Sequence, residues 1–92
     1  METVLNLRRD YDLVETISRE TVKCPYNDCK YLTVVFRQED GGFAWFYQDR
    51  EDPYCDHDIA TGFDTAEDAR ADLMETLGAT LGATLGVTET ED

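Results

Sequence analysis

The stretch YLTVVFRQEDGGFAWFYQDR, residues 31–50, decides the fold. It holds two runs, 31–38 and 42–50, rich in β-branched and aromatic residues that suit a pleated, half-buried surface. Between them Asp40-Gly41 is a two-residue turn signal that reverses one strand into the next. That turn predicts an antiparallel hairpin in which Phe36 faces Trp45, Val34 faces Tyr47 and Gln38 faces Phe43. Leu32, Val34, Phe36, Phe43, Trp45 and Tyr47 then share one apolar face. A turn at Gly41-Gly42 instead shifts the pairing by one position. The first register keeps the large apolar residues together and is preferred, because a one-residue slip moves every side chain to the other face.

Outward from the hairpin, residues 3–19 read as a helix. Leu7, Tyr11, Val14 and Ser18 fall on one face, flanked by Leu13 and Ile17, with Arg8, Arg9, Asp12 and Glu15 mostly elsewhere. Cys24–Asn27 is turn chemistry leading into the hairpin. Residues 51–64 form a loop punctuated by Pro53 and Gly62, with Ile59 at the start of a short third strand. Thr65-Ala-Glu-Asp68 resembles a capping box and opens a helix over 66–77. Ala66, Ala69, Leu73 and Leu77 cover one face of that helix, with Met74 beside them, and Glu67, Asp68, Asp72 and Glu75 cover the opposite one. Gly78 is its expected C-cap. The expected architecture is α+β: an N-terminal helix, an antiparallel hairpin or small sheet, and a C-terminal helix packed on one face. Residues 1–78 form this single domain. Residues 79–92 are an acidic tail whose LGAT repeat aligns Leu77, Leu81 and Leu85 beside Gly78, Gly82 and Gly86. The tail is either a helical extension, with a face for weak self-association of an otherwise monomeric chain, or a flexible end.

Ninety-two residues suffice for one modest core. A hydrophobic content of 41% sets the chain apart from disordered sequences. The charge is the outlier: 21 acids against 8 Lys and Arg leave −13. Residues 1–30 hold five of the bases and six acids, whereas residues 64–92 hold eight acids and one base. Such a field disfavours nucleic acid and anionic lipid as direct partners and favours basic proteins. Solubility, or adaptation to a salty cytoplasm, accounts for the same composition. No apolar run approaches the ~20 residues of a membrane span. Residues 1–7 carry Glu2 and no apolar core of a leader, so a cytoplasmic location is expected, in the host cell if the chain is phage-encoded. Three cysteines in that setting argue for free thiols.

Four residues have the chemistry of a zinc site. Cys24, Cys29, Cys55 and His57 flank the hairpin and supply three thiolates and an imidazole. The C-x4-C spacing is long, and C-x-H is short because alternate residues of an extended chain point apart. The favoured expectation is therefore a turn rather than a metal, with no cofactor, and zinc is the alternative. DREDPYCDHD is rich in oxygens but lacks the spacing and central glycine of a calcium loop. Cys55 with His57 as base has no visible oxyanion framework around it, and the carboxylates suggest no sugar cleft, so no catalytic residue is expected. The acidic surface is more informative. Asp68, Asp72 and Glu75 recur about once per turn, ~5–6 Å apart along the helix, and Glu67 adds to them. The loop contributes Asp49, Glu51, Asp52, Asp56 and Asp58. Duplex DNA also presents closely spaced negative charge, so a rigid row of carboxylates suits a Lys/Arg channel built for nucleic acid.

In TAEDARADLMETLG, DREDPYCDHD and its compact helix–hairpin–helix plan, the chain resembles the small acidic phage-encoded inhibitors of host defence, the anti-CRISPR and anti-restriction DNA mimics. The resemblance lies in overall character across the whole chain, not in a shared motif. It implies a non-enzymatic inhibitor whose acidic surface occupies the basic nucleic-acid channel of a CRISPR effector complex and blocks target DNA. The Cys/His set and the LGAT repeat depart from that pattern and keep a small zinc-binding protein-interaction module as the alternative.

Overall fold

The computed structural model describes residues 3–23, 29–81 and 86–90. A short helix α1 (Leu7–Asp10) is followed by strands β1 (Leu13–Lys23), β2 (Lys30–Gln38), β3 (Phe43–Asp49) and β4 (His57–Phe63), helix α2 (Ala66–Leu81) and strand β5 (Gly86–Thr90). All pairings are antiparallel, in the order β4-β3-β2-β1-β5. The architecture is α+β, and the third strand foreseen at Ile59 begins two residues earlier.

The helix expected over residues 3–19 is corrected to a single helical turn and a long strand. Asn6 caps the turn by accepting the Arg9 N–H at 3.0 Å, and Tyr11 ends it. Asp12 then takes a left-handed φ of 57° and redirects the chain. Asp is among the few residues that tolerate this conformation. From Leu13 onward Val14, Thr16, Ile17, Thr21 and Val22 are β-branched and favour an extended chain against β2. The helical spacing was spurious: Val14 and Ile17 are exposed and Leu13 is buried. β1 bulges between Leu13 and Glu15 and again between Thr16 and Ser18, so it lacks the alternation by which a strand is recognised.

The hairpin register also differs from the expected one. Val34 pairs with Phe46, Val35 with Trp45 and Phe36 with Ala44. The connection is a three-residue loop, Glu39-Asp40-Gly41, closed by Gly41 N–H to Gln38 C=O at 3.0 Å and Gln38 N–H to Gly42 C=O at 2.8 Å. A two-residue type I′ turn centred on Asp40-Gly41 requires positive φ at both central residues. Here Gly41 alone in the loop has it, at 90°, the arrangement of a three-residue turn ending in a left-handed glycine.

The shift splits the apolar residues between two faces. Leu32, Val34, Phe36, Ala44 and Phe46 lie on one with Leu7 and Leu13, while Tyr31, Val35, Trp45 and Tyr47 lie on the other with Ala69, Leu73 and Leu77. The second face is covered by α2, whose buried side was foreseen correctly; Thr65 caps it by accepting the Asp68 N–H at 3.0 Å. Burying Leu73 and Leu77 contributes about 1.5–3 kcal/mol each. Gly78 does not end the helix, which continues to Leu81. The first face is covered by the segment around α1. There the fully buried Gln48 accepts the Val4 N–H at 2.8 Å, and the Gln38 amide donates to Tyr11 C=O at 3.1 Å. From the segment set apart as a tail, Gly86–Thr90 pairs with the last residues of β1. The centre of the glycine repeat, 82–85, lies outside the described residues, as does the turn at 24–28.

Two substitutions test this arrangement. No atom lies within 4 Å of a Cβ placed on Gly41, so Gly41→Ala pays only for the left-handed backbone, about 1–2 kcal/mol, and lowers Tm by roughly 5–15 °C. An unchanged Tm would contradict the three-residue loop. Gln48→Leu keeps the volume but removes the acceptor for Val4. It should destabilise by about 1–3 kcal/mol and raise amide exchange selectively in the segment around α1; uniform exchange across the sheet would count against a local clamp.

Candidate functional site

The face beneath α2 carries a row of aromatic rings. Trp45 and Tyr47 are alternate residues of β3 and therefore point the same way. Their rings stack with centroids 5.8 Å apart and planes at 18°. Tyr31, from β2, meets Tyr47 edge-on at 5.8 Å and 78°. All three are buried, and a buried indole or phenol usually requires a partner for its polar end.

The partners are carboxylates. The Trp45 indole N–H donates to Asp72 of α2 at 2.8 Å, and the Tyr31 hydroxyl donates to Asp56 of the β3–β4 loop at 3.0 Å. Asp58 sits opposite Tyr47 in the β3–β4 ladder. Acids from a helix, a loop and an edge strand thus border one aromatic row. Burial chiefly, then the bond to Asp56 and the charges of Asp56 and Asp49, raise the Tyr31 hydroxyl well above its ordinary pKa. Burial again, followed by the charges of Asp56 and Asp58, raises Tyr47.

The remaining candidate acids divide by what they hold. Asp49 accepts the N–H groups of Glu51 and Asp52 at 2.7 and 3.2 Å and shapes the start of the loop. Asp58 accepts the Ile59 N–H at 2.8 Å. Asp52 accepts from the Cys55 thiol, and that bond, with the Asp52 charge, pushes the thiol pKa up. Glu51, Glu67, Asp68 and Glu75 are exposed. Asp68, Asp72 and Glu75 are therefore not an equivalent row, since Asp72 is half-buried and tied to Trp45.

Of the Cys/His set, the three described members, Cys29, Cys55 and His57, do not form a ligand group. Cys29 packs against the aromatic cluster on the α2 face. His57 pairs with Gln48 and approaches Phe46, with ring centroids 6.5 Å apart, on the opposite face. Its Nδ1 lies 2.8 Å from the Pro53 carbonyl. Cys55 is exposed in the loop, and Cys24 lies outside the described residues. Among the described residues no three His, Cys, Asp or Glu side chains gather as metal ligands, and no helix is long and apolar enough to cross a membrane.

Sequence reasoning found the acids but not the aromatic row that holds two of them. The signal was the Trp45-x-Tyr47 alternation, read there as core alone. Comparison with protein-family models, with curated proteins and with solved structures finds no match to this chain.

The raised tyrosines set a pH dependence. The unfolded chain ionises them near pH 10, while the folded chain holds them neutral to higher pH. Their stabilising contribution is complete below pH 10 and is lost as pH rises through the folded values. Unfolding free energy followed by denaturant titration should fall above pH 10, and Tyr31→Phe should reduce that slope. A slope unaffected by Tyr31→Phe would remove Tyr31 from this account.

Proposed function

We propose that this chain is a non-enzymatic inhibitor that binds the cationic nucleic-acid channel of a protein partner, a CRISPR effector complex being the expected instance, and competes there with DNA. The observation that supports the reading is the fixing of Asp72 and Asp56 by buried aromatic donors at 2.8 and 3.0 Å, beside Asp58. Carboxylates held in place before binding lose little conformational entropy on meeting Lys or Arg, so more of the interaction appears as affinity. Around them Glu51, Asp68 and Glu75 are exposed and supply the long-range field that accelerates encounter with a basic groove.

Binding of this kind weakens with salt and yields to duplex DNA. The test is a pull-down of the tagged chain against a purified effector complex at two salt concentrations, with DNA added as competitor. Glu51→Lys/Asp68→Lys/Glu75→Lys should weaken capture about tenfold or more, since close charge pairs contribute enough to be measured singly. Glu39→Lys, an exposed change in the hairpin loop, should weaken it far less. Equal effects per charge at the two places would reduce the reading to net charge, and capture indifferent to DNA would sink the competition.

A further inference from the structure

β4 (His57–Phe63) lies at one end of the sheet, and among the described residues it has a strand neighbour, β3, on one side alone. His57, Asp58 and Thr61 are exposed. The Asp49 N–H donates to Asp56 C=O at 2.8 Å, so Asp56, and by alternation Asp58 and Ala60, turn their main-chain groups toward β3. His57 and Ile59 turn theirs outward. The Ile59 N–H accordingly meets no strand and donates to the carboxylate of the preceding Asp58 at 2.8 Å. Outward groups of this kind are a template for a further strand, and proteins guard them with charges and bulges. Here a bulge with Gly62 at φ 87° ends the regular edge, and Asp58 guards its middle. A carboxylate is a guard that a cation can draw away.

We propose that the open edge of β4 takes up a short extended segment of a basic partner as an added strand. The two faces of the edge set the pattern of that segment. Asp58 pairs with Tyr47 and lies on the α2 face, whereas Ile59 pairs with Phe46 and lies on the opposite one. Successive residues of a strand alternate between faces. Bases alternating with β-branched apolar residues therefore suit the edge, the bases beside Asp58 and the apolar residues beside Ile59. A Lys or Arg there takes up the Asp58 carboxylate and releases the Ile59 N–H to an incoming carbonyl. A second copy is a poor occupant, because it brings another Asp58 and another −13 to the same edge. The inference rests on the proposed function only for the basic character of the partner, and adds to it the form of the segment bound.

The probe is the peptide acetyl-VKVRVK-amide, added to the full chain at low ionic strength and followed through backbone amide shifts and hydrogen exchange. Two further forms carry methyl groups on one or the other alternate set of amides and keep every charge. Exchange should slow at His57 and Ile59, and at least one methylated form should bind about tenfold or more weakly, since it loses the ladder bonds of one edge. Asp58→Asn should reduce the preference for this peptide over acetyl-VSVSVS-amide roughly two- to fivefold. Both methylated forms binding as the parent peptide does would overturn strand addition and leave attraction by charge, on which the proposed function still stands. So would unaltered exchange at His57 and Ile59, an unchanged preference in Asp58→Asn, or a dimer of the chain formed through the same amides without peptide. Effector capture indifferent to DNA, by contrast, removes the channel reading and leaves the edge untouched.

Discussion

Neither face of the β2–β3 pair can be left to water. Trp45, Tyr47, Val35 and Tyr31 fill one side, and Phe36, Phe46, Val34 and Leu32 fill the other, all of them buried. A strand pair buried on both faces demands two covers. The chain meets that demand with unequal parts. α2 lays Ala69, Leu73 and Leu77 on one side. A segment with only one helical turn lays Val4, Leu5, Leu7 and Tyr11 on the other. Irregular backbone over a core needs partners for its polar groups, and Gln48 and Gln38 supply them from the sheet. Two glutamines among apolar neighbours are thus a condition of the second cover.

The same two-sided burial orders part of the acidic surface. Because Trp45 and Tyr31 are buried and each has a polar end to satisfy, each is completed by a carboxylate from a distant segment. Asp72 and Asp56 consequently serve two ends, satisfying a core donor and holding negative charge at a defined place. Repulsion within a chain of −13 opposes such clustering. The aromatic donors help to offset it, as does the ion pair of Arg70 on α2 with Glu20 on β1 at 3.0 Å. That pair is partly exposed, and contributions of this kind amount to about 0–1 kcal/mol.

Charge is also partitioned through the thickness of the fold. The acidic helix and the residues bordering the aromatic row occupy one side, while Arg8, Arg9 and Arg19, with Asp10 among them, lie around α1 and β1 on the other. The partition follows from chain order. The bases are concentrated in residues 1–30, which supply the segment around α1 and β1. The acids accumulate after residue 48, in the β3–β4 loop, β4 and α2.

What was legible from the sequence had a local cause. The buried stripe of α2 followed from helical spacing, its start from Thr65, and the hairpin from β-branched and aromatic runs around a glycine turn. β1 was hidden because two bulges break its alternation and leave Val14 and Ile17 at a spacing that imitates a helix. The site was legible only as a list of acids, since the bonds that single out Asp72 and Asp56 join residues 27 and 25 positions apart. The sequence by itself determined the α+β class, the position of α2 and the excess of negative charge. Only the tertiary structure decided the hairpin register, the strand character of residues 13–23 and which carboxylates are held. Glu39-Asp40-Gly41-Gly42 allows more than one turn, and the choice between them rests on burying both faces of β2 and β3 beneath covers that lie far along the chain.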